Sequence, residues 1–211
     1  MRNPHSLLCP ECASDLRPIT EPRCYRCGRP VREDEEYCRD CAAHPKAFTR
    51  GQGIFLYDER MKHSVLRYKY QGCREYGRFY ARAMYQYGGK AIRGWKPDLL
   101  VPVPLYPRKQ RMRGFNQAQY LAQELSTYTG IPADAGLVRK IRPTRSQKKL
   151  NARERSRNLK DAFWVTRRVD GLRILLIDDV YTTGSTMDAM AHCLRRAGAS
   201  EIFFLTLCIV A

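Results

Sequence analysis

The chain has 211 residues, 44% of them hydrophobic, with 38 Lys or Arg against 21 Asp or Glu and a formal charge of +17. That length holds one medium domain, or a domain with a small appendage. No apolar run approaches the roughly 20 residues that span a membrane and no apolar leader opens the chain, so a cytoplasmic protein with no membrane span is expected, one that attracts polyanions.

Residues 1–46 read as a Cys-rich module. Six of the nine cysteines form Cys-x-x-Cys pairs: Cys9/Cys12, Cys24/Cys27 and Cys38/Cys41. The stretch is poor in aliphatics and needs something other than a core to hold it. Paired Cys-x-x-Cys knuckles supply the tetrahedral sulfurs that Zn²⁺ prefers, whereas a thioredoxin-like redox pair lacks its βαβ surroundings here. Cys24, Cys27, Cys38 and Cys41 are the best-matched quartet for one structural zinc. Cys9 and Cys12 have two other readings: joining Cys24 and Cys27, or forming half of a second site with His5 or His44. Arg23, Arg26, Arg29 and Arg39 decorate the module, as a solvated face or as a nucleic-acid contact.

Residues 47–211 read as the main domain. Gln52 to Tyr57 predicts a short strand, and Asp58 is the expected N-cap of a helix over Glu59 to Tyr70. Tyr76, Phe79, Tyr80, Ala83, Met84 and Tyr87 keep a helical period. They are read as core rather than as a base-stacking stripe, with Gly88-Gly89 ending the helix. Asp98 to Val103 predicts a strand that runs into Pro102-Val103-Pro104-Leu105-Tyr106-Pro107, a stiff loop. The cations Arg108, Lys109, Arg111 and Arg113 follow. A helix with Ala118, Leu121, Ala122 and Leu125 on one face comes next, stopped by Gly130. From Arg139 to Arg168 there are 12 Lys or Arg and two acids, with Phe163 to Thr166 as an edge strand.

Ile174 to Ile177 is an aliphatic run of the kind that forms a parallel strand covered on both faces. Asp178 and Asp179 follow, then Thr182, Thr183, Gly184, Ser185 and Thr186 at a helix start. The hydroxyls and N–H groups of that turn attract an anion, phosphate above all. Two carboxylates beside a phosphate make sense when the ligand also carries hydroxyls or Mg²⁺, as a ribose 5-phosphate does. The helix then shows Met187, Met190, Ala191 and Leu194 on one face and stops near Gly198, before a last strand from Glu201 to Val210.

The run Asp178-Asp179-Val180-Tyr181-Thr182-Thr183-Gly184-Ser185-Thr186 resembles the 5-phosphoribosyl-1-pyrophosphate (PRPP) motif of type I phosphoribosyltransferases. The resemblance implies an α/β fold with an open, mainly parallel sheet flanked by helices. It implies that Asp178 and Asp179 hold the ribose hydroxyls, directly or through Mg²⁺, and that Thr182, Thr183, Gly184, Ser185 and Thr186 cradle the 5′-phosphate. Arg111 and Arg113 are then pyrophosphate partners.

Val101-Pro102-Val103-Pro104, Arg113-Gly114-Phe115-Asn116-Gln117 and Gln147-x-x-Leu150-x-x-x-x-Arg155-x-x-Asn158-x-x-x-Ala162-Phe163, in that order behind a Cys-x-x-Cys ribbon, look like the ComF family, which is associated with natural competence. Many members carry a further Cys-x-x-Cys ahead of the first pair here, which leaves Cys9/Cys12 orphaned. By the same resemblance Lys148, Lys149, Arg153 and Arg157 belong to a closing hood or to a single-stranded DNA contact. Two functions stand side by side: a phosphoribosyltransferase linked to DNA uptake, and a non-enzymatic single-stranded DNA-handling protein that keeps the PRPP or 5′-phosphate site for binding or regulation. Other competence proteins are expected partners, and no residue is assignable to an acceptor.

Overall fold

The computed structural model describes residues 16–143 and 162–211. The central sheet has four parallel strands in the order β1-β6-β5-β2: β1 Arg50–Leu56, β2 Leu99–Pro102, β5 Arg173–Tyr181 and β6 Glu201–Ile209. A separate antiparallel ribbon joins β3 Val138–Lys140 to β4 Phe163–Val165. Six helices complete the described chain: α1 Arg39–Ala43, α2 Glu59–Tyr70, α3 Tyr76–Trp95, α4 Pro107–Arg113, α5 Gln117–Thr129 and α6 Ser185–Arg196. None of them is long and apolar enough to cross a membrane.

Strand side chains alternate between faces, and β5 shows why its sequence is aliphatic without a break. Ile174 and Leu176 enter a cluster with α6 (Met187, Met190, Ala191, Leu194), β4 and the Cys-rich module. Leu175 and Ile177 enter a second cluster with α2, α3 and α5. Both faces of the sheet are covered, as a parallel sheet requires.

Several helix boundaries follow from local chemistry. The Asp58 carboxylate accepts from the Met61 N–H and starts α2. The Asn116 side chain does the same for Ala118 at α5, which Gly130 ends with φ 72°.

Three elements differ from the sequence expectation. Helix α3 continues through Gly88-Gly89 to Trp95. A Cβ on Gly88 would come within 3.0 Å of the Leu205 side chain and 3.5 Å of that of Ile54, so this glycine lets the helix approach the sheet closely instead of ending it. The cation cluster after the proline loop forms a short helix, α4, because Pro107 presets the first helical residue. Phe163–Val165 pairs with β3 outside the main sheet rather than along its edge.

Candidate functional site

The strands of the sheet are parallel, so the proline loop after β2 and the Thr182–Gly184 bend after β5 leave the same carboxyl edge, where open α/β sheets bind ligands. β5 extends further than the aliphatic run: Asp178 and Asp179 lie inside the strand, with Asp178 opposite Thr206 and Val180 opposite Cys208.

The two acids have different surroundings. Asp179 is buried, and its Oδ1 lies 2.8 Å from Lys69 Nζ of α2. Burial of Lys69 works to lower its pKa, but the charges of Asp179 and Asp178 outweigh it and hold the ammonium above its ordinary value. Asp178 accepts from the Asp179 N–H at 2.8 Å. Burial, reinforced by the Asp179 charge and opposed by Lys69, pushes its carboxyl up to about 7, although part of the residue reaches solvent. Lys140 of β3 is a second amine in this field. Burial and the Lys109 charge bring it down to about 8, against the pull of Asp178. Sequence reading identified neither lysine. Lys69 lies between two tyrosines at the end of a polar-faced helix, and Lys140 lies in a three-residue strand, so neither carries a legible signal.

Beyond β5 the chain turns sharply. Gly184 has φ 74° and precedes α6. A Cβ there would overlap the Tyr181 hydroxyl. The hydroxyls of Thr183 and Ser185 are 3.0 Å apart, and Thr186 lies in the first turn of α6. The bend therefore gathers hydroxyls and the unpaired N–H groups of a helix start in one place.

On the same carboxyl edge, the proline loop is pinned by Asn116, whose Nδ2 donates to the Val103 carbonyl at 3.1 Å. The Arg113 guanidinium donates to Gln117 Oε1 at 3.1 Å and to the Tyr70 hydroxyl at 2.7 Å, and lies over the Tyr70 ring. Among the described residues, Arg113 Nε and Gln117 Nε2 are buried donors without a hydrogen-bond partner. Arg111 is exposed on α4. The aromatic residues of α3 divide as a core face does: Tyr80 is buried, and Tyr87 is exposed with its ring edge-on to Phe55.

In the Cys-rich module, Cys24, Cys27, Cys38 and Cys41 bring their Sγ atoms within 4.8 Å of one another. Cys27 and Cys38 Sγ are 3.7 Å apart, too far for a disulfide and close to the ~3.8 Å edge of a tetrahedron with ~2.3 Å metal–sulfur bonds. Cys9 and Cys12 lie outside the described residues, as do Lys148, Lys149, Arg153 and Arg157.

The family model described as Double zinc ribbon domain matches residues 1–42, and the one described as Phosphoribosyl transferase domain matches residues 80–210. Competence protein F of Haemophilus influenzae is 32% identical over 201 residues, covering 92% of this chain and 87% of that protein. DNA utilization protein YhgH of Salmonella typhimurium is 34% identical over 207 residues, covering 97% and 91%. Competence protein ComFC of Bacillus subtilis is 31% identical over 216 residues, covering 97% and 85%.

Proposed function

This chain belongs to the ComF family of phosphoribosyltransferase-like proteins, and from that premise we propose that it binds PRPP with Mg²⁺ at the carboxyl edge of its sheet, in the service of DNA uptake during natural competence. The observation that carries the reading is the Asp178–Thr186 segment, in which two acids lie near the carboxyl end of a buried strand and a hydroxyl-rich bend then opens a helix.

Each part of PRPP finds a chemical match. Thr182, Thr183, Gly184, Ser185 and Thr186 take the 5′-phosphate through N–H and hydroxyl donors. Asp178 and Asp179 take the ribose hydroxyls. Arg113, with Arg111, takes the pyrophosphate, and the unpaired donors Arg113 Nε and Gln117 Nε2 fit an anion there. Mg²⁺ is bound by one or two carboxylates plus ligand phosphates, a set that Asp178 and Asp179 complete, and it would neutralise charge gathering on the pyrophosphate. In a transfer reaction the chain's own task is to hold the ribose while C1 gains positive character and pyrophosphate departs. Residues 1–46 form a structural zinc module on Cys24, Cys27, Cys38 and Cys41, and residues 47–211 form the PRPP-binding domain. Equilibrium titration with PRPP, with and without Mg²⁺, tests the reading. Pyrophosphate release in the presence of pooled bases and amines then tests for transfer.

The formal charge of +17 favours a second reading that shares the same site, in which the chain handles single-stranded DNA. Its basic tract includes Lys148, Lys149, Arg153 and Arg157. Binding of an oligonucleotide should then weaken steeply with salt, and salt-insensitive or absent binding removes this reading.

A further inference from the structure

Among the described residues, the Cys-rich module touches the bend after β5 at one polar contact: Arg29 donates from Nη2 to the Thr182 carbonyl at 2.9 Å. We propose that Arg29 is a positioning residue for the phosphate loop, so that the four-cysteine knuckle sets the geometry of the PRPP site through this direct contact. The inference rests on the proposed PRPP reading of that loop.

A trans peptide is planar, and its C=O and N–H point in opposite directions. Fixing the Thr182 oxygen toward Arg29 therefore aims the Thr183 N–H away from the Cys-rich module. A cation on the carbonyl also polarises that peptide and strengthens its N–H as a donor. The loop needs such an anchor because Gly184, at φ 74°, is the residue with the most backbone freedom.

Arg29 is itself held by the knuckle. It lies two residues after Cys27, and its carbonyl accepts from the Cys24 N–H at 2.7 Å. The Gly28 N–H donates to the Cys24 carbonyl at 2.9 Å. Gly28 has φ 71°, and a Cβ there would come 2.6 Å from the Gly51 carbonyl oxygen, so the knuckle lies directly on β1. The Gly51 N–H donates to the Arg26 carbonyl at 2.8 Å, and Arg26 donates to the Phe48 carbonyl at 3.1 Å.

The loop also rests on Tyr181, against which Gly184 packs and whose ring stacks on Phe204 at 4.6 Å, in the same apolar cluster as Cys24, Cys27 and Cys38. Among the described residues the Tyr181 hydroxyl and Arg29 Nε are both buried without a hydrogen-bond partner. Among the described residues, the Thr182 carbonyl contact is thus the polar link between Arg29 and the bend. Metal bound by the four cysteines would fix the knuckle, and through Arg29 the loop.

The test compares full-length, zinc-loaded wild type with Arg29→Ala and Arg29→Lys by amide hydrogen exchange without ligand, and by calorimetric titration with PRPP. Arg29→Ala should keep its zinc and its melting temperature. Exchange over residues 182–186 should rise roughly tenfold and PRPP affinity should fall by a similar factor, the effect of one lost charge-assisted hydrogen bond. Arg29→Lys should restore part of both. Chelating zinc should speed exchange in the same segment of wild type and add little there in Arg29→Ala. Unchanged exchange over 182–186 in zinc-loaded Arg29→Ala overturns the proposal, as does a uniform rise in exchange with a lowered melting temperature. If wild type binds no PRPP, the reading of the site fails, while the exchange comparison still decides whether Arg29 sets the loop.

Discussion

Lys69 Nζ lies 2.8 Å from Asp179 Oδ1, and the two side chains are 15% and 10% exposed. The pair joins the end of α2 to the end of β5. It also explains how two adjacent acids coexist in a largely apolar setting. One amine neutralises Asp179, and Asp178 is left with a raised pKa.

Removing Lys69 should therefore be harmful beyond the loss of one contact. Lys69→Met leaves Asp179 buried and uncompensated, and should lower stability by about 3 kcal/mol in denaturant unfolding. The double variant Lys69→Met/Asp179→Asn removes the stranded charge and should recover part of that loss. Simple additivity of the two single variants would show that the pair is not coupled.

Asp178 makes a prediction with a definite sign. An unfolded Asp titrates near ~4, and the folded carboxyl titrates at about 7. Between those values the native state keeps a proton that the unfolded chain has released. Stability should fall as pH rises through that interval, then level off above it. Asp178→Asn should remove this slope and be more stable than wild type at pH 8 by about 1–3 kcal/mol, the full shift being trimmed by the partial exposure of the residue. Thermal melts of both proteins from pH 5 to pH 8 check it. Parallel curves for the two proteins would contradict it.

Much of the local structure around this candidate site is legible in the sequence, and the exceptions have physical causes. The β5–α6 turn was legible because an aliphatic run, two acids and a hydroxyl-rich glycine bend follow one another without interruption. Helix α2 was legible from its Asp58 cap. Gly88-Gly89 misled because a glycine that permits close packing looks the same, in one dimension, as a glycine that ends a helix. Helix α4 was hidden because prolines ahead of a cation run read as a loop. Lys69 was hidden because its partner is 110 positions away in the sequence, and only the packing of α2 brings the two together. The ribbon of β3 and β4 was too short to leave a period.

The four-cysteine cluster predicts a stoichiometry. Protein prepared without chelator should carry about one zinc per chain by atomic emission if Cys24, Cys27, Cys38 and Cys41 form one tetrahedral site. Replacing Cys9 and Cys12 together with Ser should leave that zinc in place. Its loss would mean that the first pair supplies ligands. Cys38→Ser should release the metal and lower the melting temperature, since Cys38 shares an apolar cluster with Phe48 and Phe204.

The carboxyl edge around Asp178, Asp179 and the Thr182–Thr186 bend is proposed as a PRPP site. Calorimetric titration of PRPP into the zinc-loaded protein, with and without Mg²⁺, tests it most directly, because it needs no knowledge of an acceptor. Binding should be saturable, strengthened by Mg²⁺ and weakened at least tenfold in a folded Asp178→Asn/Asp179→Asn variant, the effect of losing charge-assisted hydrogen bonds to the ribose. Absence of binding to folded wild type with Mg²⁺ present, or equal affinity in the double variant, would contradict it.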